Sequence, residues 1–213
     1  MNFRFMDALA GTHLYPITDR HLSGLSHAEQ VALLCDAGAT LIQLREKIDP
    51  PAEFFAQAEA AIRIARDCGV KITINDRVDI ALALKADGVH LGQEDMAPEA
   101  ARRLLGQEAI IGFSTHNLTQ ARSSLQMPVD YVALGPIFRT TTKASSNPAV
   151  GLEGLKLVRE MIGAIPLVAI GGITSENIHA VLDSGADAAA LIKDIWEPAG
   201  EALARTRHLL RSS

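Results

Sequence analysis

Arg45 and Lys47 stand two residues apart at the end of the apolar run 40–44. In an extended chain that spacing sends both side chains to one face. Two cations on one face call for an anion, and an arginine beside a lysine favours phosphate or diphosphate. The competing reading is a pair of solvated charges neutralised by Glu46 and Asp49. Lys143 closes the run Thr140-Thr141-Thr142-Lys143, whose hydroxyls and amides could also hold phosphate oxygens. A plain surface loop is the alternative there. Asp76 and Asp95 each follow another apolar run, and two hard carboxylates facing a cationic diphosphate site suggest a shared magnesium ion. Each aspartate alone is more commonly a helix N-cap. Gly171-Gly172 allows close backbone approach to a ligand, or simply a tight turn with positive φ. His90 reads as a hydrogen-bonded core residue and His116 as a weak acid–base candidate. No Ser–His–Asp or Cys–His set stands out.

These residues need elements to position them. Strand-like runs fall at 13–18, 40–44, 71–74, 88–91, 109–113, 131–134, 167–170 and 188–192. Several are apolar without alternation, which suits parallel strands covered on both faces. The segments between them have helical spacing. Ser26 with Glu29, and Asn117 with Gln120, resemble capping boxes, and Asp49 before Pro50 suits a helix entry. Eight strand–helix units predict a (β/α)8 barrel forming a single domain over 1–213, with 1–11 as a leading helical segment. Apart from His90, which lies inside the run 88–91, the candidate residues gather at strand ends, so a closed barrel brings them to its C-terminal rim, where barrel enzymes place their chemistry. The loop 139–150 is long for such a connection and suits a lid.

Composition narrows the class. Hydrophobic residues make up 48% of the 213 and charged residues 21%, ordinary for a globular chain with a sizeable core. A net charge of -5 argues against a nucleic-acid partner, and no apolar run is long enough to span a membrane. Cys35 and Cys68 lie in apolar helical patterns without metal-ligand spacing and read as free buried thiols in a reducing compartment, most simply the cytoplasm. The surface around Trp196 leaves a homodimer open.

Taken in order, the segments resemble the thiamine phosphate synthase family. The matching stretches are Leu14-Tyr15-Pro16-Ile17-Thr18-Asp19, Gln43-Leu44-Arg45-Glu46-Lys47, Asn75-Asp76-Arg77, 87–95, Gly112-Phe113-Ser114, Asp130-Tyr131 with Gly135-Pro136-Ile137-Phe138, Thr140-Thr141-Thr142-Lys143, and Val168-Ala169-Ile170-Gly171-Gly172-Ile173. The resemblance implies a transferase that joins a pyrimidine diphosphate to a thiazole phosphate and releases diphosphate. Gln43, Arg45, Lys47, Asn75 and Lys143 would then hold the diphosphate, and Asp76 and Asp95 a bridging Mg²⁺. Ser114 would lie near the pyrimidine and the reacting carbon. Thr140, Thr142 and the backbone at Gly172 would help hold the thiazole phosphate. The reaction it implies needs no protein nucleophile, because departure of diphosphate leaves a resonance-stabilised cation that the thiazole nitrogen attacks.

Two positions depart from the family pattern. Lys193 stands where the family presents a serine in the turn after strand eight, and Arg139 stands where a proline is common. Lys193 could add charge to a phosphate site or fill it. Asp194 with Glu197 also reads as a capping box that would occupy the amides of that turn. Two rivals remain at this point: a thiazole tautomerase of the same superfamily, which needs no diphosphate clamp, and a non-catalytic barrel that binds a phosphate ligand.

Overall fold

The computed structural model describes residues 4–140 and 147–212. The chain opens on the helix Arg4–Leu9 (α1) and strand Leu14–Pro16 (β1), followed by the helices Arg20–Ser23 (α2) and His27–Ala37 (α3). Strand Leu41–Leu44 (β2), helix Pro51–Asp67 (α4), strand Lys71–Asn75 (β3), helix Val78–Leu84 (α5), strand Gly88–Leu91 (β4) and helix Pro98–Leu105 (α6) come next. Ile110–Thr115 (β5), Leu118–Ser124 (α7), Tyr131–Leu134 (β6), Gly151–Ile162 (α8), Leu167–Ile170 (β7), Ile178–Asp183 (α9) and Ala188–Leu191 (β8) continue the alternation. The single turn Lys193–Trp196 (α10) and the helix Ala202–Ser212 (α11) finish it.

All eight strands are parallel, in the order β1-β8-β7-β6-β5-β4-β3-β2. A bridge between Ile17 and Gln43 joins the two ends of that order and closes a (β/α)8 barrel. Strand residues are buried almost without exception, because helices cover the outside and side chains fill the lumen. Alternate residues face inward: Tyr15 and Ile17, Gln43 and Arg45, Tyr131 and Ala133, and Val168 and Ile170 share a lumen so filled that it leaves only about 10 Å³. Phe5 of α1 closes the floor, stacked on Tyr131 at 4.1 Å and edge-on to Tyr15 at 5.6 Å.

Local chemistry explains several helix starts. Ser26 and Glu29 form the expected reciprocal capping box of α3. Asn117 caps α7 by accepting from the Gln120 amide, but the Gln120 side chain reaches the amide of His116 instead of that of Asn117. Asp49 does not cap α4: Pro50 occupies the cap, Pro51 the first turn, and Asp49 pairs with Arg20. Two surface expectations also fail. Cys68 is exposed, since it ends α4 rather than lying within its apolar face. Trp196 is wholly buried with its indole N–H on the carbonyl of Ile17 at 2.8 Å, so it offers no dimer contact.

Candidate active site

The strand ends divide the rim into two halves. On the β1–β4 half, Arg45 follows β2, and its Nη1 reaches Asp19 Oδ2 at 2.5 Å. Its backbone amide donates to Thr18 Oγ1 at 3.2 Å. Arg45 is therefore buried and anchored from β1, not solvated or neutralised by Glu46 and Asp49. Lys47, two residues on, has left the strand and points the other way, to Asp76 Oδ2 at 2.5 Å. Glu46 serves the loop itself: Oε1 accepts the amides of Lys47, Ile48 and Asp49. Burial pushes the Glu46 carboxyl up, but those three amides and His27 together hold it below its ordinary value.

Asp76 sits at φ 63, a left-handed conformation that a non-glycine residue adopts at a cost, and its amide donates to the carbonyl of His90 at 2.8 Å. It caps no helix, for the N-cap of α5 is Arg77. Asp95 is likewise not a cap; its Oδ2 accepts the amide of Gly92 at 2.6 Å, and α6 starts after Ala97. Burial raises the proton affinity of Asp76, Lys47 pulls it back, and the adjacent Asp95 pushes it up again, leaving it above the usual carboxylate range. Two carboxylates pressed together in this way form a donor set that fits a hard divalent cation. His21, Glu46 and Asp49 also lie within 4.8 Å of one another. Glu46 Oε1 is committed to the loop amides and Asp49 Oδ2 to Arg20, so that cluster braces the loop.

Between these groups lie two buried donors without a partner among the described residues, Arg45 Nε and Asn75 Nδ2. Buried polar groups are nearly always satisfied, so such a pair marks where a ligand oxygen belongs. Gln43 is deeper than expected and donates from Nε2 to the hydroxyl of Tyr15 at 3.2 Å. Ser114, at the end of β5, lies 2.8 Å from His90 Nε2, while its carbonyl accepts from Gln93 Nε2 at 2.5 Å.

The β5–β8 half is different in kind. It encloses a cavity of about 970 Å³ bounded by Ser114, His116, Arg139, Thr140, Gly171, Gly172, Ile192 and Lys193. Both glycines have positive φ, and a Cβ on Gly171 would meet Pro136 at 2.6 Å, one on Gly172 Phe138 at 2.7 Å. The turn and the close approach thus both require glycine. His116 Nδ1 donates to the Gly135 carbonyl at 2.6 Å, because a carbonyl only accepts, and this assigns the proton to that nitrogen. Lys193 is half-exposed and paired with Glu197 at 3.3 Å. The Asp194–Glu197 capping box does not form: α10 is one turn with Ile192 at its N-cap, and Asp194 Oδ2 accepts the amide of Ser175 at 3.0 Å. Thr142 and Lys143 lie outside the described residues.

The structure therefore brings Arg45, Lys47, Asn75, Asp76 and Asp95 together and sets Thr140, Gly172 and Lys193 around the cavity, with Ser114 between. Sequence reasoning missed Asp19 as the anchor of Arg45 and Tyr15, Thr73 and Tyr131 as polar lumen residues. The available signal was polar residues at inward positions of otherwise apolar strands.

A barrel whose rim presents paired cations, two facing carboxylates and a glycine-lined cavity is of the phosphate-handling (β/α)8 class. A sequence model described as thiamine monophosphate synthase matches residues 14–195. The chain belongs to that family. It is 47% identical over 180 residues to the thiamine-phosphate synthase of Syntrophomonas wolfei, covering 84% of this chain and 86% of the relative. It is 42% identical over 183 residues to the protein of the same name from Chloroflexus aurantiacus, covering 85% and 84%. The solved thiamine phosphate pyrophosphorylase of Pyrococcus furiosus superposes with a TM-score of 0.85 at 36% identity, over 99% of this chain and 96% of that one.

Proposed function

We propose that this chain is a single-domain, cytoplasmic, magnesium-dependent transferase. It joins the hydroxymethylpyrimidine diphosphate to hydroxyethylthiazole phosphate, releasing diphosphate and forming thiamine phosphate. The observation that carries the reading is the pair of buried donors at Arg45 and Asn75, without a partner among the described residues, beside the facing carboxylates of Asp76 and Asp95. A tautomerase acting on the thiazole phosphate alone has no use for that arrangement.

In this reading the leaving diphosphate takes its hydrogen bonds from Arg45 Nε and Asn75 Nδ2, with Lys47 and Lys143 adding positive charge. Asp76 and Asp95 would hold the Mg²⁺, whose chemistry when bound is to neutralise charge on the diphosphate. Lys47 is bonded to Asp76 and Arg45 to Asp19, so both cations are already in place before substrate arrives, and little reorganisation accompanies bond cleavage. Ser114 orients the pyrimidine ring. The thiazole phosphate occupies the cavity, with its phosphate toward Thr140, Thr142, Gly172 and Lys193, and the filled cavity keeps water from the reacting carbon. Lys193 adds a cation to the phosphate end, in place of the serine of the family pattern.

Incubation with both substrates and Mg²⁺ tests the reading. Formation of thiamine phosphate and diphosphate in equal amounts is expected. Ligand binding without turnover would instead support a phosphate-ligand sensor, and conversion of the thiazole phosphate alone a tautomerase.

A further inference from the structure

Beneath Ser114 a chain of hydrogen bonds crosses the lumen. His90 Nε2 lies 2.8 Å from Ser114 Oγ, and His90 Nδ1 lies 2.8 Å from the hydroxyl of Tyr131. That hydroxyl is 3.2 Å from the Tyr15 hydroxyl, which in turn meets Thr73 Oγ1 at 2.5 Å and accepts from Gln43 Nε2 at 3.2 Å. Strand register builds the central link. His90, Gly112 and Tyr131 are lateral neighbours on β4, β5 and β6. A Cβ at Gly112 would fall 2.0 Å from the Tyr131 ring, so the missing side chain is what lets the phenol cross β5 to reach the histidine.

The direction of these bonds matters. Tyr131 has one proton and two neighbouring acceptors, and the imidazole nitrogen is both nearer and more basic than the Tyr15 oxygen. Tyr131 therefore donates to Nδ1, which places the imidazole proton on Nε2, the nitrogen facing Ser114. Ser114 Oγ accepts that proton and keeps its own for a third group. Ser114 lines the cavity mouth, where that group is substrate.

We infer that His90 is a positioning residue: held by Tyr131, it donates from Nε2 to Ser114 and turns the serine hydroxyl proton outward, as a donor to a ring nitrogen of the pyrimidine substrate. The inference rests on the reading that Ser114 faces the pyrimidine. A core histidine that merely satisfies its own hydrogen bonds would affect stability and leave the rate untouched.

The test combines one spectroscopic measurement on the unaltered protein with steady-state kinetics of five variants. Nitrogen-15 NMR of the imidazoles should show His90 protonated at Nε2. His90→Leu should lower kcat about tenfold or more while the KM for the pyrimidine diphosphate moves less than about threefold. His90→Gln, which keeps a donor toward Ser114, should restore most of that rate and guards against a Leu variant that fails to fold. Tyr131→Phe should fall between them. In a Ser114→Ala background, His90→Leu should cost nothing further. A His90 protonated at Nδ1, or His90→Leu and Ser114→Ala effects that multiply, would overturn the inference. An impaired Ser114→Ala beside a full-rate His90→Leu would remove the inference alone, whereas a full-rate Ser114→Ala would remove the reading beneath it.

Discussion

The two halves of the rim solve the problem of binding phosphate in opposite ways. Around β1–β4 the rim cations are paired with carboxylates: Arg45 with Asp19, Lys47 with Asp76, Arg20 with Asp49. Around β5–β8 the described residues form a cavity of about 970 Å³ with a glycine turn, the exposed Arg139, and the half-exposed Lys193 paired with the half-exposed Glu197. The first half is a rigid clamp whose cost in desolvated charge is offset by pairing. The second is a shaped space, with affinity left to backbone approach and solvent-screened charge. A leaving group that gains charge during the reaction needs the clamp; a second substrate whose phosphate is unchanged needs only the space.

The largest expected effect breaks the clamp. Asp76→Asn should lower kcat/KM for the pyrimidine diphosphate by about 100- to 1,000-fold, because it frees Lys47 and removes a carboxylate opposite Asp95. Steady-state kinetics at saturating thiazole phosphate check this, and a loss under about fivefold would dissolve the distinction between the halves.

Next comes the packing behind the clamp. His27 is wholly buried, bonds Thr18 through Nδ1 at 2.8 Å, and faces Glu46, which organises the loop carrying Lys47. Burial lowers its pKa to about 4. The unfolded chain therefore binds a proton more readily between pH ~6.5 and ~4, and folding stability falls as pH drops through that window. The contribution lost is about 3 kcal/mol at most. Urea denaturation at several pH values should show it, and His27→Gln should flatten the dependence.

In the second half the comparable weak point is backbone. Gly171→Ala should destabilise by about 2 kcal/mol, since it combines positive φ with a contact against Pro136. Thermal denaturation measures it. The smallest effect sharpens the contrast most: Lys193→Ser should raise the KM for thiazole phosphate by about two- to fivefold, the scale of an exposed ion pair, and leave that of the pyrimidine diphosphate unchanged. An unchanged thiazole-phosphate KM would remove Lys193 from the site.

Much of this was legible in the chain itself. Three strands, Gly88–Leu91, Tyr131–Leu134 and Leu167–Ile170, fall where the apolar runs place them, and the others shift by one or two residues at their ends. The clamp was legible because charged residues directly after apolar strands have few structural reasons to be there. Its internal pairing was not, since Asp19 and Arg45 follow different strands and residue types do not name their partners. The second half was less legible for the same reason that it works: its shape comes from backbone and from small residues such as Gly135 and Ala190. The Asp194–Glu197 pattern misled because a motif of capping type presumes a helix longer than the single turn of α10. Trp196 misled because one large apolar residue in a polar stretch fits a core contact as well as a surface one.

The most direct test of the divided rim is a crystal structure of the protein with Mg²⁺, thiamine phosphate and diphosphate. The account predicts diphosphate oxygens within hydrogen-bonding distance of Arg45 Nε and Asn75 Nδ2, metal between Asp76 and Asp95, and the thiamine phosphate ester beside Gly172 and Lys193. Diphosphate in the β5–β8 cavity, or a metal ion bound away from both aspartates, would contradict it.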